Sequence, residues 1–396
     1  MRVGIYNEPS GGGIGGSEIS VAVLAEALAR QHQVEIIHHK SSMDPKRLGE
    51  ISNTDLHAVR MRYVTGQPYS FGTGHNPVRR YNNARLWHAD LSEPYDLFIN
   101  FTHGFPPFCH ARMGALVVLF PFHNRPHRGA TNAQVKDLAV WRHLKNAYNE
   151  WEWHARLKSY QVKTTISRFS QEWTSRRWGI DCEIVYPPAD AYFRPGEKKN
   201  VVLSVGRFTA TGHSKKQLEM MAAFGDLHHS TDCSLEYFSV GGVSDADDDF
   251  EYFQRVGCAA LKCGGKVIAN VDRRGLRRLY ERARVFWHAA GYGEIDERPE
   301  LTEHFGIATV EAMAAGCVPI VINKGGQPEI VQHGINGFLW NTLDELKEYT
   351  SLVLHDHGLY AKMAEAARAR AANFSREQFL NRFRAVLQAK NSLASV

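Results

Sequence analysis

Short apolar runs alternate along the first half of the chain with stretches whose apolar residues recur every three to four positions. RVGIYN reads as a buried strand, SEISVAVLAEALARQ as a helix with one apolar face, VEIIHH as a second strand, and DLFINF and ALVVLFPF as later buried strands. A long helical pattern lies between Asn132 and Ser159 and carries Trp141, Leu144, Tyr148, Trp151 and Trp153. Strand VKTTIS and helix RFSQEWTSRRW follow it. These aromatics fit core and inter-helix packing better than a ligand box.

The alternation restarts after YPPADAYFRPGEKK, whose prolines, glycine and charges read as an inter-domain linker. VVLSVGRF, LEYFSVGG, KVIANV, RVFWHAA and VPIVIN read as strands. KKQLEMMAAFGDLHH, RRGLRRLYERA and FGIATVEAMAAG read as helices between them, and a helical tail starts near Thr342. Strand–helix alternation implies a doubly wound parallel sheet. Two such halves predict an α/β chain of two Rossmann-like domains facing across a cleft, with residues 1–195 in the first and 196–375 in the second.

Length agrees, since 396 residues exceed what one hydrophobic core usually supports. Hydrophobic residues at 43% and charged residues at 22% are ordinary for a globular chain, and no apolar run is long enough for a membrane span. MRVGIYNEPSGGG lacks the apolar centre and cleavage site of a signal peptide, so cytoplasm is the expected compartment. Six scattered cysteines without zinc-site spacing read as reduced thiols. The net charge of +5 lies wholly in residues 1–197, which hold 23 basic and 18 acidic side chains. That surplus leaves room for peripheral attachment to the inner face of a membrane or for an anionic acceptor, but a solvated surface is the plainer account. It carries no expectation of nucleic-acid binding.

The most specific stretch is EHFGIATVEAMAAGCVPIVINKGGQPEIVQHGINGFLW, from Glu303 to Trp340. Glu303 precedes a helix read as starting at Phe305, and Glu311 lies about two turns into it. A helix start offers free N–H groups to a diphosphate, and paired carboxylates can hold sugar and ribose hydroxyls. Gly325 and Gly326 form a tight strand-to-helix turn where backbone can approach a ligand. Taken alone, two glutamates at this spacing are as readily a helix cap and a solvated helix residue. The acidic run DADDDFE has aspartates at metal-binding spacing, but its place ahead of a helix reads as a solvated N-cap, and no metal is expected.

This segment resembles the donor-site signature of the large retaining glycosyltransferase family 4, typified by sucrose synthases, bacterial glycogen synthases and the mannosyltransferases of lipid-linked glycan assembly. The likeness is strong over residues 201–340 and weaker, though collinear, over 1–200. It implies the GT-B fold, with the last helix (376–396) returning to the first domain, and a retaining, metal-independent hexosyl transfer without cofactor. The donor would be a nucleoside-diphosphate sugar, and the acceptor a saccharide, glycolipid or small metabolite.

On these positions the resemblance gives Glu303 the donor sugar and Glu311 the ribose, with His304, Phe305, Gly306 and Ile307 lining sugar and diphosphate. Arg207 and Lys215 would clamp the diphosphate, Lys215 being selected over Lys216 by its distance from Ala223 and Phe224. The backbones of Ile268 and Asn270 would meet the base. In GGGIGGSEIS, Gly15, Gly16 and Ser17 match the family's phosphate-facing helix start. The family's N-domain histidine falls at Leu119, Phe120 or, displaced a few residues, His123; His123 is selected, with His103 in NFTHGF as the alternative. A sugar-nucleotide epimerase on the same fold and a non-catalytic nucleotide-binding subunit are the rival functions.

Overall fold

The computed structural model describes residues 1–7, 15–39, 44–65, 77–122, 139–190, 193, 196–210, 212–230, 235–244 and 246–393. The chain divides into two compact units, Met1–Val185 with Leu380–Val396, and Tyr186–Phe379.

In the first unit β1 (Arg2–Asn7), β2 (Gln33–His38), β3 (Val59–Tyr63), β4 (Leu97–Thr102), β5 (Met113–Val118), β6 (Val162–Thr165) and β7 (Glu183–Ile184) form one sheet. Its order is β3-β2-β1-β4-β5-β6-β7 and all its pairings are parallel. The helices of this unit are α1 (Gly16–Ala29), α2 (Pro45–Ser52), α3 (Pro77–Ser92), α4 (Ala139–Lys158) and α5 (Arg168–Trp178). Every residue of β4 is buried, as expected of a parallel strand covered on both faces. Trp153 is buried against Trp178 and Phe105, whereas Trp151 faces solvent.

The second unit's sheet has β8 (Lys199–Val205), β9 (Glu236–Gly241), β10 (Lys266–Ala269), β11 (Ala283–His288), β12 (Val318–Ile322) and β13 (Phe338–Trp340), in the order β10-β9-β8-β11-β12-β13. Its pairings are also all parallel. Around it lie α6 (Gln217–Ser230), α7 (Asp247–Cys263), α8 (Arg273–Arg282), α9 (Ile307–Ala314), α10 (Gln327–Ile330), α11 (Leu343–His355) and α12 (His357–Ala371). α13 (Arg376–Leu393) starts in this unit, and its residues from Leu380 onward belong to the first.

Both sheets run outward in each direction from a central strand, so strand order reverses between β1 and β4 in one and between β8 and β11 in the other. Ligands of open α/β sheets bind outside the carboxyl ends of the strands at such a reversal. Polar residues enter the buried strands at those ends: Asn7 closes β1 and His288 closes β11.

Several elements differ from the sequence expectation. The segment read as a linker packs on the second unit: Tyr186 stacks on Phe305, Asp190 pairs with Arg273, and Lys198 Nζ donates to the carbonyls of Tyr280 and Ala283. The polar stretch after β9 holds α7, with Asp247, Asp248 and Asp249 in its first turn and Ala246, not an aspartate, in the capping position. Asp249 turns back to accept from the backbone of Ala210 and the hydroxyl of Ser244. No cluster of metal-ligating side chains occurs among the described residues, and no helix among them is long and apolar enough to cross a membrane.

Candidate functional site

At the β8/β11 reversal, three side chains from separate parts of the chain meet. Lys215 lies after β8, His288 closes β11, and Glu303 sits on the connection from β11 to α9. Lys215 Nζ is 2.6 Å from Glu303 Oε2, and His288 Nε2 lies 3.0 Å from that same oxygen. Lys215 and Glu303 are each 16% exposed, so the pair is largely withdrawn from water. Burial works to raise the Glu303 carboxyl, but Lys215, His288 and His213 outweigh it and hold the group well below its ordinary value. Burial lowers the His288 imidazole against the pull of Glu303, so the ring is neutral and donates its Nε2 proton to a carboxylate. His213 lies 3.5 Å from Lys215 Nζ and stacks on His304 at 5.0 Å; burial, then Lys215, push it down to about 3.

The backbone of this corner is fixed by glycine. Gly325 has φ +64°, and a Cβ there would stand 2.1 Å from the Glu303 carbonyl oxygen. A Cβ on Gly326 would meet the His304 carbonyl at 2.6 Å, and the Gly326 N–H donates to the Glu303 carbonyl at 2.7 Å. The turn after β12 therefore carries Glu303 directly, backbone on backbone.

Glu311 is the fifth residue of α9, not two turns in, because the helix begins at Ile307 rather than Phe305. Gly306 caps it at φ +118°, a conformation open to glycine, and no side chain caps the helix start. The Thr309 and Val310 amides donate back to the Gly306 carbonyl, so the uncapped start consists of the amides before them. Tyr280 Oη lies 3.3 Å from Glu311 Oε2 and Arg273 lies 3.4 Å from Oε1. Arg273 also pairs with Asp190, which has a second partner in Arg376 at 3.3 Å. Here burial prevails over Arg273, and the Glu311 carboxyl is raised.

The other residues selected from sequence fall into place unevenly. Lys215 precedes α6 rather than opening it, since Lys216 takes φ +59° and the helix begins at Gln217. Lys216 turns to Glu294 at 2.6 Å, which leaves Lys215 alone to reach Glu303. Arg207 is exposed and forms no ion pair among the described residues, a guanidinium open to an anion. The Phe305 ring is buried against Tyr186 and Phe374, so only its backbone faces a ligand; Ile307 is half-buried at the first helical position. Ile268 ends half-buried in β10, and Asn270 follows at φ +51° with its side chain accepting from the Val243 amide.

In the first unit, Gly15, Gly16 and Ser17 do form the start of α1 after β1. Glu18 closes a capping box there, its Oε2 accepting from the Gly15 amide at 2.8 Å and the Ser17 hydroxyl at 2.9 Å. His123 lies outside the described residues, and the alternative, His103, stacks on Phe122. Sequence reasoning passed over His288, Arg273, Tyr280 and Glu18. The one legible signal was a histidine closing the apolar run VFW of the strand RVFWH.

Two family models cover most of the chain: Glycosyltransferase Family 4 over residues 14–192 and Glycosyl transferases group 1 over residues 190–370. A Dictyostelium discoideum protein, GDP-Man:Man(3)GlcNAc(2)-PP-Dol alpha-1,2-mannosyltransferase, is 30% identical over 57% of this chain and 48% of its own length. The chain spans about half or less of the length of the curated relatives it matches. A Rickettsia africae glycosyltransferase superimposes with TM-score 0.69 at 18% identity, covering 98% of both chains. Anabaena Alr3699/HepE, solved with UDP and glucose, gives TM-score 0.63 at 17% identity over 97% of this chain and 99% of that one. With two parallel doubly wound sheets and these matches, the chain belongs to glycosyltransferase family 4 and has the GT-B class of fold.

Proposed function

We propose that the second unit binds a nucleoside-diphosphate sugar and that the protein transfers its hexose, with retained configuration, to an acceptor hydroxyl. The observation that carries this is the Lys215–Glu303 pair at the β8/β11 reversal, beside a helix start without a side-chain cap. GDP-mannose is the first candidate donor and a dolichol-linked oligosaccharide the first candidate acceptor, because the Dictyostelium relative's name specifies both.

In this reading Arg207, Lys215 and the amides of α9 receive the diphosphate, Glu303 takes sugar hydroxyls and Glu311 the ribose. Lys215 pairs with Glu303, and a diphosphate competes for its ammonium. Breaking the anomeric C–O bond leaves charge on the diphosphate, which the two cations stabilise. The acceptor oxygen bonds to the same face of the anomeric carbon, and its proton passes to the leaving phosphate. Ile268 and Asn270 offer backbone groups to the base.

Thermal shift with GDP, UDP, ADP and dTDP, each with and without EDTA, tests the donor assignment. Ligand at a hundred times its dissociation constant stabilises by about 2.7 kcal/mol, a shift of a few degrees. A shift confined to GDP that survives EDTA, followed by transfer from GDP-mannose to the lipid-linked acceptor, is the expected result. No shift with any of the four overturns it.

A further inference from the structure

His288 is 5% exposed at the carboxyl end of the buried strand β11, and its Nε2 lies 3.0 Å from Glu303 Oε2. That oxygen also receives Lys215, whereas Oε1 of Glu303 accepts no hydrogen bond among the described residues. The carboxylate is therefore held by one oxygen, from two sides, with the other left open. The two donors differ in kind. Lys215 is a cation on a loop and is drawn to any diphosphate placed beside it, while His288 is fixed in the sheet. The other ring nitrogen, Nδ1, is buried and has no hydrogen-bond partner among the described residues, while Nε2 faces a carboxylate oxygen that can only accept; the proton therefore belongs on Nε2, and the ring is a donor rather than a base.

We propose that His288 is a positioning residue for donor-sugar recognition: once Lys215 engages the diphosphate, His288 keeps Oε2 of Glu303 and so holds Oε1 towards the sugar hydroxyls. The inference rests on the reading that Glu303 meets the sugar. A carboxylate that lost Lys215 without a second donor would be free to rotate and would also lose a buried hydrogen bond.

Calorimetric titration with GDP and GDP-mannose, or with UDP and UDP-glucose if the wild type binds that pair instead, isolates what the sugar adds to affinity. His288→Leu should bind the nucleoside diphosphate within about twofold of wild type, lose most of the sugar's increment and lower kcat about tenfold. His288→Gln, whose amide reaches to about the position of Nε2, should recover most of both. A His288→Leu protein that keeps the increment, or that weakens both ligands equally, overturns the proposal. Should that variant not fold, His288→Asn replaces it, since its amide is too short to reach Glu303; equal behaviour of Asn and Gln then overturns it as well. Glu303→Gln separates the two levels. If it too keeps the sugar's increment, the assignment of Glu303 fails; if it loses the increment while His288→Leu does not, only the role of His288 fails. Binding of neither ligand pair sinks both.

Discussion

Glu303 and Glu311 sit one short connection apart, both largely buried, yet their surroundings act in opposite directions. Glu303 has an ammonium and an imidazole N–H on one oxygen, and its charge is secured. Glu311 shares Arg273, its only cationic partner among the described residues, with Asp190, and its contacts of 3.3 and 3.4 Å are long. Divided compensation cannot cover the cost of burial. The first carboxylate is a settled anion; the second still gains from additional neutral donors, such as the ribose hydroxyls that the proposed function places there.

The largest test of this contrast is kinetic. Glu303→Gln is expected to lower kcat by roughly 10²-fold or more, whereas Glu311→Gln raises the donor KM about tenfold and moves kcat less. Steady-state kinetics showing the same kcat-against-KM split in both variants would erase the distinction.

Acid and alkaline dependence sharpen it further. Glu303 titrates below its ordinary 4.5 in the folded protein, so its contribution is full above pH 4.5 and is lost as pH falls towards the folded value. Glu311 titrates above 4.5, so its protonated form favours the fold; that contribution is full below pH 4.5 and is lost as pH rises through the folded value. Melting temperatures should follow: the advantage of wild type over Glu303→Gln shrinks towards acid, and its advantage over Glu311→Gln shrinks towards neutral pH. Parallel slopes would show that the two sites do not differ as described.

The smallest effect concerns the neighbouring lysines. Lys216→Met removes one partly exposed pair with Glu294, which is worth about 1 kcal/mol or less, and transfer should stay within about twofold of wild type. Transfer rates of Lys216→Met and Lys215→Met, measured together, decide whether the left-handed turn at Lys216 assigns the two side chains to separate tasks.

Most of the sheet was legible because parallel strands covered on both faces read as near-continuous apolar runs, as in ALVVLF and VPIVI. β3 was not, since VRMRY alternates with arginines and resembles a surface segment, and the acidic run reads as lying ahead of a helix whose first turn it forms. The glutamates stood out through spacing and glycines. Their partners did not: Lys215 and Glu303 are 88 positions apart, and only folding brings them together. The helix starts shifted by two residues for local reasons, φ +59° at Lys216 and φ +118° at Gly306, that no periodicity reports.

Because the Glu303 peptide is fastened to the Gly325–Gly326 turn, its position does not depend on the excursion that precedes it. Residues 289–302 are tied instead at their far side, where Glu294 meets Lys216 and Lys324. Such an arrangement separates what must stay constant from what can vary. The excursion can lengthen, shorten or change composition over evolutionary time, or in the hands of an enzyme engineer, while the carboxylate at its end keeps its address.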